Sequence, residues 1–352
     1  MLRASFVIPG DLSLPTGGYA YDRHVLSRAA RHGVDLRHVA LPGGYPAPDE
    51  ADLSATLKLL SGEPANSVLV IDGLAFGAMP GDVVARIEQR IVALVHHPLW
   101  LEAGLPEGRR IHLRQTEKMA LAFAEHVIVT SPMTKRIVAE DFDYPPDRIT
   151  VAEPGTERAG RATGGGMPPH LVAVGSIVPR KGYPVLVAAL AGLTDMPWRL
   201  TIAGATRDEA ELERVRKVIA AAGLQDRIVL AGALTTDELD RLYASGDIFV
   251  MPSLFEGYGM VLGEAMARGL PIVCTTGGAA AETAPDAAAI KVAPGNVEQF
   301  RDGLHRVLAD AGLRRAMADA SWAAGQMLPT WDDTTRIIAD ALRRVAAQEP
   351  SQ

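Results

Sequence analysis

Short unbroken runs of aliphatic and β-branched residues alternate along this chain with longer stretches in which apolar positions recur every three or four residues. The first kind of run predicts buried strands and the second amphipathic helices, and their regular alternation predicts parallel sheets wound with helices. Two sets of strands emerge. The first comprises "ASFVIP", "VDLRHVAL", "SVLVID", "RIVALVH", "HVIVT" and "RITVAE", with helical stretches between them at residues 20–32 and 113–124. The second comprises "HLVAVG", "WRLTIAG", "RIVLAG", "DIFVMP", "LPIVCT" and "AAIKV". Between the sets, "ERAGRATGGGMPPH" at 157–170 is rich in glycine and proline and poor in apolar groups, and it reads as a linker.

After Val292 only helical patterns follow. The last of them is apolar at Ile337, Ile338, Ala341, Leu342 and Val345, a stripe that must be covered by something. Two α/β halves in succession suggest two doubly wound domains facing each other across a cleft. In open parallel sheets ligands bind beyond the carboxyl ends of the strands, so the loops after the strands are where chemistry is expected.

At 352 residues, 48% of them hydrophobic, the chain is long enough for two cores. Its net charge of -7 provides no overall basic field, which argues against nucleic acid as a partner. The single cysteine, Cys274, lies in the apolar run "LPIVCTT" and reads as a small buried hydrophobe, so neither a disulfide framework nor a zinc cluster is expected. The apolar start "MLRASFVIPGDL" is too brief for a signal sequence, and no run approaches the length of a membrane span. A cytoplasmic protein is expected, with peripheral contact at the inner face of a membrane left open.

Four stretches carry candidate chemistry. In "FEGYGMVLGEAMARGLPIV", Glu256 and Glu264 stand eight positions apart across a loop and the start of a helix. Eight helical residues span about 12 Å, too far for a carboxylate pair acting as acid and base, so the two glutamates are expected to have separate tasks. Gly257 and Gly259 let the backbone approach a ligand, and the N–H groups near Met260 and Val261 suit a phosphate; a plain tight turn is the alternative. In "VGSIVPRKGYPVLVAAL", Arg180 and Lys181 follow a strand and could stabilise a departing diphosphate, or simply be solvated. In "IPGDLSLPTGGYAYDRHV", Gly17 and Gly18 open a helix as a backbone anion site, without the G-x-G-x-x-G pattern of dinucleotide binding. In "IVALVHHPLW", His96 and His97 follow a strand and point to opposite sides if extended, so one at most faces a ligand. Neither histidine has an i, i+4 partner, Asp141 and Asp143 fall in a turn-like stretch, and no metal site is expected.

These motifs, in this order, resemble a family 4 retaining glycosyltransferase of the GT-B fold over nearly the whole chain. "PSLFEGYGMVLGEAMARGLPIV" is similar to the family's E-x7-E signature, supported by "GSIVPRKG", "RITVAEPGTE", "LYASGDIFVMPS" and the amino-terminal glycine pair. The resemblance implies two Rossmann-like domains. Residues 1–160, with a carboxyl-terminal helix at 328–352 that crosses back, would bind the acceptor, and 168–327 would bind a nucleotide-sugar donor.

By the same resemblance Glu264 would bond the donor's ribose, and Glu256 the donor sugar, with help from Gly257, Tyr258, Gly259 and Met260. Lys181 would bind the diphosphate. The family's arginine is replaced here by Ser176, a role Arg180 could take from another direction. Gly17 and Gly18 would close on the diphosphate, and His96 would act near the sugar, with His97 the fallback. The implied reaction is metal-independent, needs no cofactor beyond the donor, and retains anomeric configuration by front-face attack.

Two other readings compete. A nicotinamide-dependent oxidoreductase is disfavoured because no G-x-G-x-x-G follows a first strand. A nucleotide-sugar binding protein or partner subunit with little turnover is kept alive by Ser176. The acceptor, whether a small molecule, a glycan or a lipid-linked species, has no readable pattern. Arg109, Arg110, His112 and Arg114 form a basic cluster that would meet an anionic acceptor or lipid headgroups unless merely solvated.

Overall fold

A computed structural model describes residues 1–348; the last four positions of the expected 328–352 segment lie outside the described residues. The chain divides into two compact units, Met1–Gly155 with Pro329–Gln352, and Thr156–Leu328.

The first unit is built on a six-stranded parallel sheet in the order β2-β1-β3-β4-β5-β6. Its strands are β1 (Leu2–Pro9), β2 (Val34–Leu41), β3 (Val68–Asp72), β4 (Arg90–Val95), β5 (His126–Val129) and β6 (Ile149–Val151), at the six places the apolar runs predict. β3 and β5 are buried at every position, which is why they read as continuous apolar runs rather than alternating ones. The order reverses between β1 and β3, so the loops after β1, β3 and β4 cluster about the switch point where such sheets bind ligands.

The last helix, Trp331–Ala347, is part of this unit and packs on the Gly17–Arg28 helix. Ile338, Ala341, Leu342 and Val345 of its apolar stripe are buried, and Ile337 is half-buried at its edge. Covering each of the larger aliphatic side chains contributes about 1.5–3 kcal/mol. A capping box at Thr330 and Asp333 fixes where the helix starts. Trp331 supplies the aromatic contact, stacked on His24 at 4.1 Å and edge-on to Tyr21.

The second unit repeats the plan with β7 (His170–Val174), β8 (Arg199–Ala203), β9 (Ile228–Gly232), β10 (Ile248–Met251), β11 (Ile272–Thr275) and β12 (Ala289–Val292), in the order β12-β11-β10-β7-β8-β9. Here the switch point lies between β7 and β10. Cys274 is fully buried in β11, and burial pushes its thiol up to about 12, as expected of a core hydrophobe. The stretch read as a linker, 157–170, has no helix or strand before His170 and is hydrogen-bonded along this unit. Ala162 N–H donates to the Arg268 carbonyl at 2.9 Å, and Gly166 N–H to Asp247 at 3.0 Å. No helix among the described residues is long and apolar enough to cross a membrane.

Candidate active site

In the second unit the candidate residues sit on the two loops flanking the switch point. β7 runs into Gly175, whose φ of 153° and close neighbours demand the absence of a side chain; a Cβ there would lie 3.1 Å from Lys181 Cε. The Pro179–Lys181 turn ends at Gly182 in the left-handed region, where a Cβ would meet the Pro252 carbonyl oxygen at 2.3 Å. Leu254 N–H donates to the Arg180 carbonyl at 2.7 Å, so the loops after β7 and β10 are joined by backbone.

This junction brings three predicted residues together. Lys181 Nζ donates to Glu256 Oε1 at 2.6 Å, and Arg180 Nη1 donates to Glu256 Oε2 at 3.2 Å and to the Phe255 carbonyl at 2.9 Å. Glu256 is buried, and burial pushes its pKa up, but Lys181 first and Arg180 second outweigh this and hold it at about 2. Two cations therefore stand against the Glu256 carboxylate at this junction.

The Glu256 backbone is also pinned. Its N–H donates to the Gly277 carbonyl at 3.1 Å, and its own carbonyl accepts from Ala279 at 2.8 Å. A Cβ on Gly278 would lie 2.2 Å from the Glu256 carbonyl oxygen. Ser176, where the resemblance expects arginine, is half-buried just past β7.

Glu264 belongs to a different set of contacts. Gly257 and Tyr258 lead to Gly259, which at φ 87° precedes the Met260–Met266 helix, whose first turn contains Val261. Half-buried Glu264 lies in that helix and accepts a hydrogen bond from the Tyr243 hydroxyl at 2.7 Å. Burial raises its pKa more than Tyr243 and Arg268 lower it. The two glutamates thus occupy distinct environments, one paired with cations and one with a phenol.

In the first unit, the Thr16 hydroxyl accepts from Tyr19 N–H at 3.2 Å and caps the helix whose first two residues are Gly17 and Gly18. His96, immediately after β4, lies against this turn: a Cβ on Gly18 would sit 3.3 Å from its Cδ2. His97 turns the other way, its Nε2 3.3 Å from Glu102. His96 Nε2 stands 3.2 Å from Asp22 Oδ1 and 3.4 Å from Asp72 Oδ2. Burial lowers the imidazole's pKa, yet Asp22, with Asp72 behind it, outweighs burial and raises it well above the ordinary histidine value.

One ligating atom from each of Asp22, Asp72 and His96 lies within 4.8 Å of the other two, the only such trio among the described residues. The ring nitrogen is already engaged by the carboxylates, so the trio is read as a proton-sharing group. Sequence reasoning missed Asp22, Asp72, Tyr243, Gly277 and Gly278. Two signals were present: an aspartate closing the apolar run "VLVID", and a second glycine pair after the strand in "CTTGG". The basic cluster is largely engaged internally: Arg109 donates to the Pro46 carbonyl, Arg110 pairs with Glu107, and Arg114 pairs with Asp141.

Residues 162–322 match the family model described as "Glycosyl transferases group 1". The chain is 28% identical over 335 residues to the MMP alpha-(1->4)-mannosyltransferase of Mycolicibacterium hassiacum, covering 86% of this chain and 78% of that one. It is 31% identical over 188 residues to the GDP-mannose-dependent alpha-(1-6)-phosphatidylinositol monomannoside mannosyltransferase of Mycobacterium tuberculosis, over 50% of this chain and about half (47%) of the relative. Among solved structures, the sucrose-phosphate synthase of Thermosynechococcus elongatus superposes with a TM-score of 0.80 at 19% identity, covering 97% of this chain and 99% of that one, which bears on the fold alone. With a group 1 glycosyl transferase domain at 162–322 and two six-stranded parallel α/β sheets, this chain is a glycosyltransferase with the GT-B fold.

Proposed function

We propose that the chain is a retaining transferase that moves a sugar from a nucleotide-diphosphate sugar to an acceptor hydroxyl without a metal. The observation that carries this reading is the Arg180–Lys181–Glu256 group at the switch point of the second unit's sheet, two fixed cations in the place where such sheets take phosphorylated ligands. In the proposed reaction the bond between the anomeric carbon and the diphosphate oxygen breaks, and the acceptor oxygen attacks from the same face. The acceptor's proton passes to the departing phosphate oxygen.

Negative charge grows on the leaving group, so fixed cations aimed at it lower the barrier. Lys181 and Arg180 are assigned to that charge, with the backbone N–H groups at Met260 and Val261. Glu256 and the Gly257–Tyr258–Gly259 turn are assigned to the sugar, Glu264 to the ribose hydroxyls, and Ser176 to the donor's phosphates. In the first unit, the Gly17–Gly18 helix start is assigned to the diphosphate and His96 to the transferring sugar, because the two pack directly on each other. That unit is also assigned the acceptor.

A relative named as GDP-mannose-dependent makes GDP-mannose the first donor to try, beside UDP- and ADP-sugars. Ligand binding to the folded state raises the melting temperature. A panel of nucleotide-sugars is therefore expected to yield at least one that stabilises the wild type and releases its nucleoside diphosphate. Stabilisation without release would favour the binding-protein reading, and no stabilisation by any member would refute both.

A further inference from the structure

His96 is held from two sides by groups that sequence spacing did not reveal. Asp22 comes from the Gly17–Arg28 helix and is fully buried, and Asp72 closes β3 with only slight exposure. One oxygen of each reaches the same ring nitrogen, Nε2, at 3.2 Å and 3.4 Å. Asp72 is itself fixed, since its Oδ1 accepts the Leu74 N–H at 2.6 Å. Tyr21 packs edge-on to the ring at 5.2 Å, and Gly18 closes one face.

The other Asp22 oxygen, Oδ2, is buried with no hydrogen-bond partner among the described residues. A buried carboxylate left half-satisfied costs about 1–3 kcal/mol, a cost that packing alone does not offset. Burying an acid here is unfavourable for folding alone, and the ring it faces is the partner that can offset the cost. The side chain of His96 is 20% exposed. Nε2 faces two buried acids, and Nδ1 has no hydrogen-bond partner among the described residues. The ring therefore has a fixed inner nitrogen and an unengaged outer one.

We propose that Asp22, assisted by Asp72, is a positioning residue for the transferase reaction: it keeps Nε2 of His96 protonated and fixes the ring so that Nδ1 is the atom offered to the sugar or its phosphate. The groups facing the ring from its surroundings are Asp22, Asp72 and the Tyr21 ring. This rests on the assignment of His96 to the reaction, but it concerns what sets the histidine's state, which is measurable without turnover. An acid that fixes one imidazole nitrogen sets the hydrogen-bonding character of the other.

The test combines two readouts on wild type, Asp22→Asn, Asp72→Asn, His96→Asn and the Asp22→Asn/His96→Asn pair, with circular dichroism to confirm folding. Nitrogen-15 spectra of histidine-labelled protein, with His96 assigned by its loss in His96→Asn, should show Nε2 protonated from pH 6 to 8. The ring should titrate at least one pH unit lower in Asp22→Asn. Nucleoside diphosphate release from GDP-mannose or UDP-glucose, whichever is faster, should fall about tenfold in kcat for Asp22→Asn with KM little changed. The double variant should be no slower than His96→Asn.

An unchanged titration in Asp22→Asn overturns the inference, and so do losses that multiply in the double variant. If Asp22→Asn alone fails to fold, Asp72→Asn carries the same comparison with a smaller expected shift. Stoichiometric zinc or manganese binding by wild type, abolished in Asp22→Asn, also overturns it, since the carboxylates would then be ligands. If His96→Asn retains full turnover, the assignment of His96 to the reaction is what fails, and the titration still reports separately on Asp22.

Discussion

Lys181 Nζ stands 2.6 Å from Glu256 Oε1, and both side chains are nearly buried, so a cation assigned to the departing diphosphate is held in place before any donor arrives. Lys181→Met is expected to reduce turnover about a hundredfold or more, the usual cost of removing one charge-stabilising donor. It also leaves Glu256 with Arg180 as its remaining cationic partner. Since that partner persists, about 2 kcal/mol of stability should be lost, below the ~3–5 kcal/mol of a fully broken buried pair.

The pH dependence of that loss has a definite sign. Glu256 is held at about 2 in the fold against 4.5 for the free side chain, so its pairing stabilises the fold above pH 4.5 and is lost as pH falls toward 2. Urea unfolding of wild type and Lys181→Met should therefore differ most near pH 6 and less on acidification to pH 3. A gap of equal size at both values would show that the ion pair does not set the shift.

Glu264 should respond in the opposite sense. Burial raises its pKa, so ionising it costs stability at every pH above the free carboxyl's 4.5. Glu264→Gln removes that cost while leaving an oxygen to accept from Tyr243. The variant should be as stable as wild type or slightly more so at pH 7, yet lose most of the thermal stabilisation given by its nucleotide donor. A variant that is both destabilised and fully responsive to the donor would remove Glu264 from the ribose.

Two glycines with the same backbone angle separate strain from collision. Gly278 and Gly223 both have φ 67°, but a Cβ on Gly223 meets nothing within 4 Å, whereas on Gly278 it would lie 2.2 Å from the Glu256 carbonyl oxygen. Gly223→Ala should cost only the left-handed penalty of about 1 kcal/mol. Gly278→Ala should cost more and, by displacing Glu256, raise KM for the donor. Equal melting temperatures for the two variants would show that the loop gives way without consequence.

Much of this was legible because the determining interactions are local. All twelve strands lie where apolar runs predicted them; central strands such as β3 and β5 are buried on both faces and have to be written as continuous apolar runs. The glycine before the Met260–Met266 helix was legible too, because Gly259 adopts a conformation that other residues resist. Asp22 and Asp72 were not. Each looks ordinary in its own segment, and only the pairing of β3 with both β1 and β4 brings the end of β3 beside His96. At 157–170 glycine and proline marked irregular backbone, but the bonds of this stretch to Arg268 and Asp247 were not legible, because those partners come from distant parts of the sequence.

A second histidine gives the first unit an acid sensitivity of its own. His126 begins β5 and is buried, with its Nε2 2.8 Å from the Thr150 hydroxyl. Burial, then Arg344 and Lys135, lower its pKa to about 4 from 6.5. Above pH 6.5 the group is neutral in both states and contributes no pH dependence. As pH falls from 6.5 toward 4 the unfolded chain takes up a proton that the fold refuses, so stability declines across that window, by about 1–3 kcal/mol after allowance for solvent near the site. His126→Gln keeps a hydrogen-bonding side chain and cannot titrate, so its unfolding free energy should fall less between pH 6.5 and 4 than that of wild type. Parallel curves over that interval would mean that His126 is charged in the fold and that Arg344, which also donates to Thr150 at 3.2 Å, has moved to admit it.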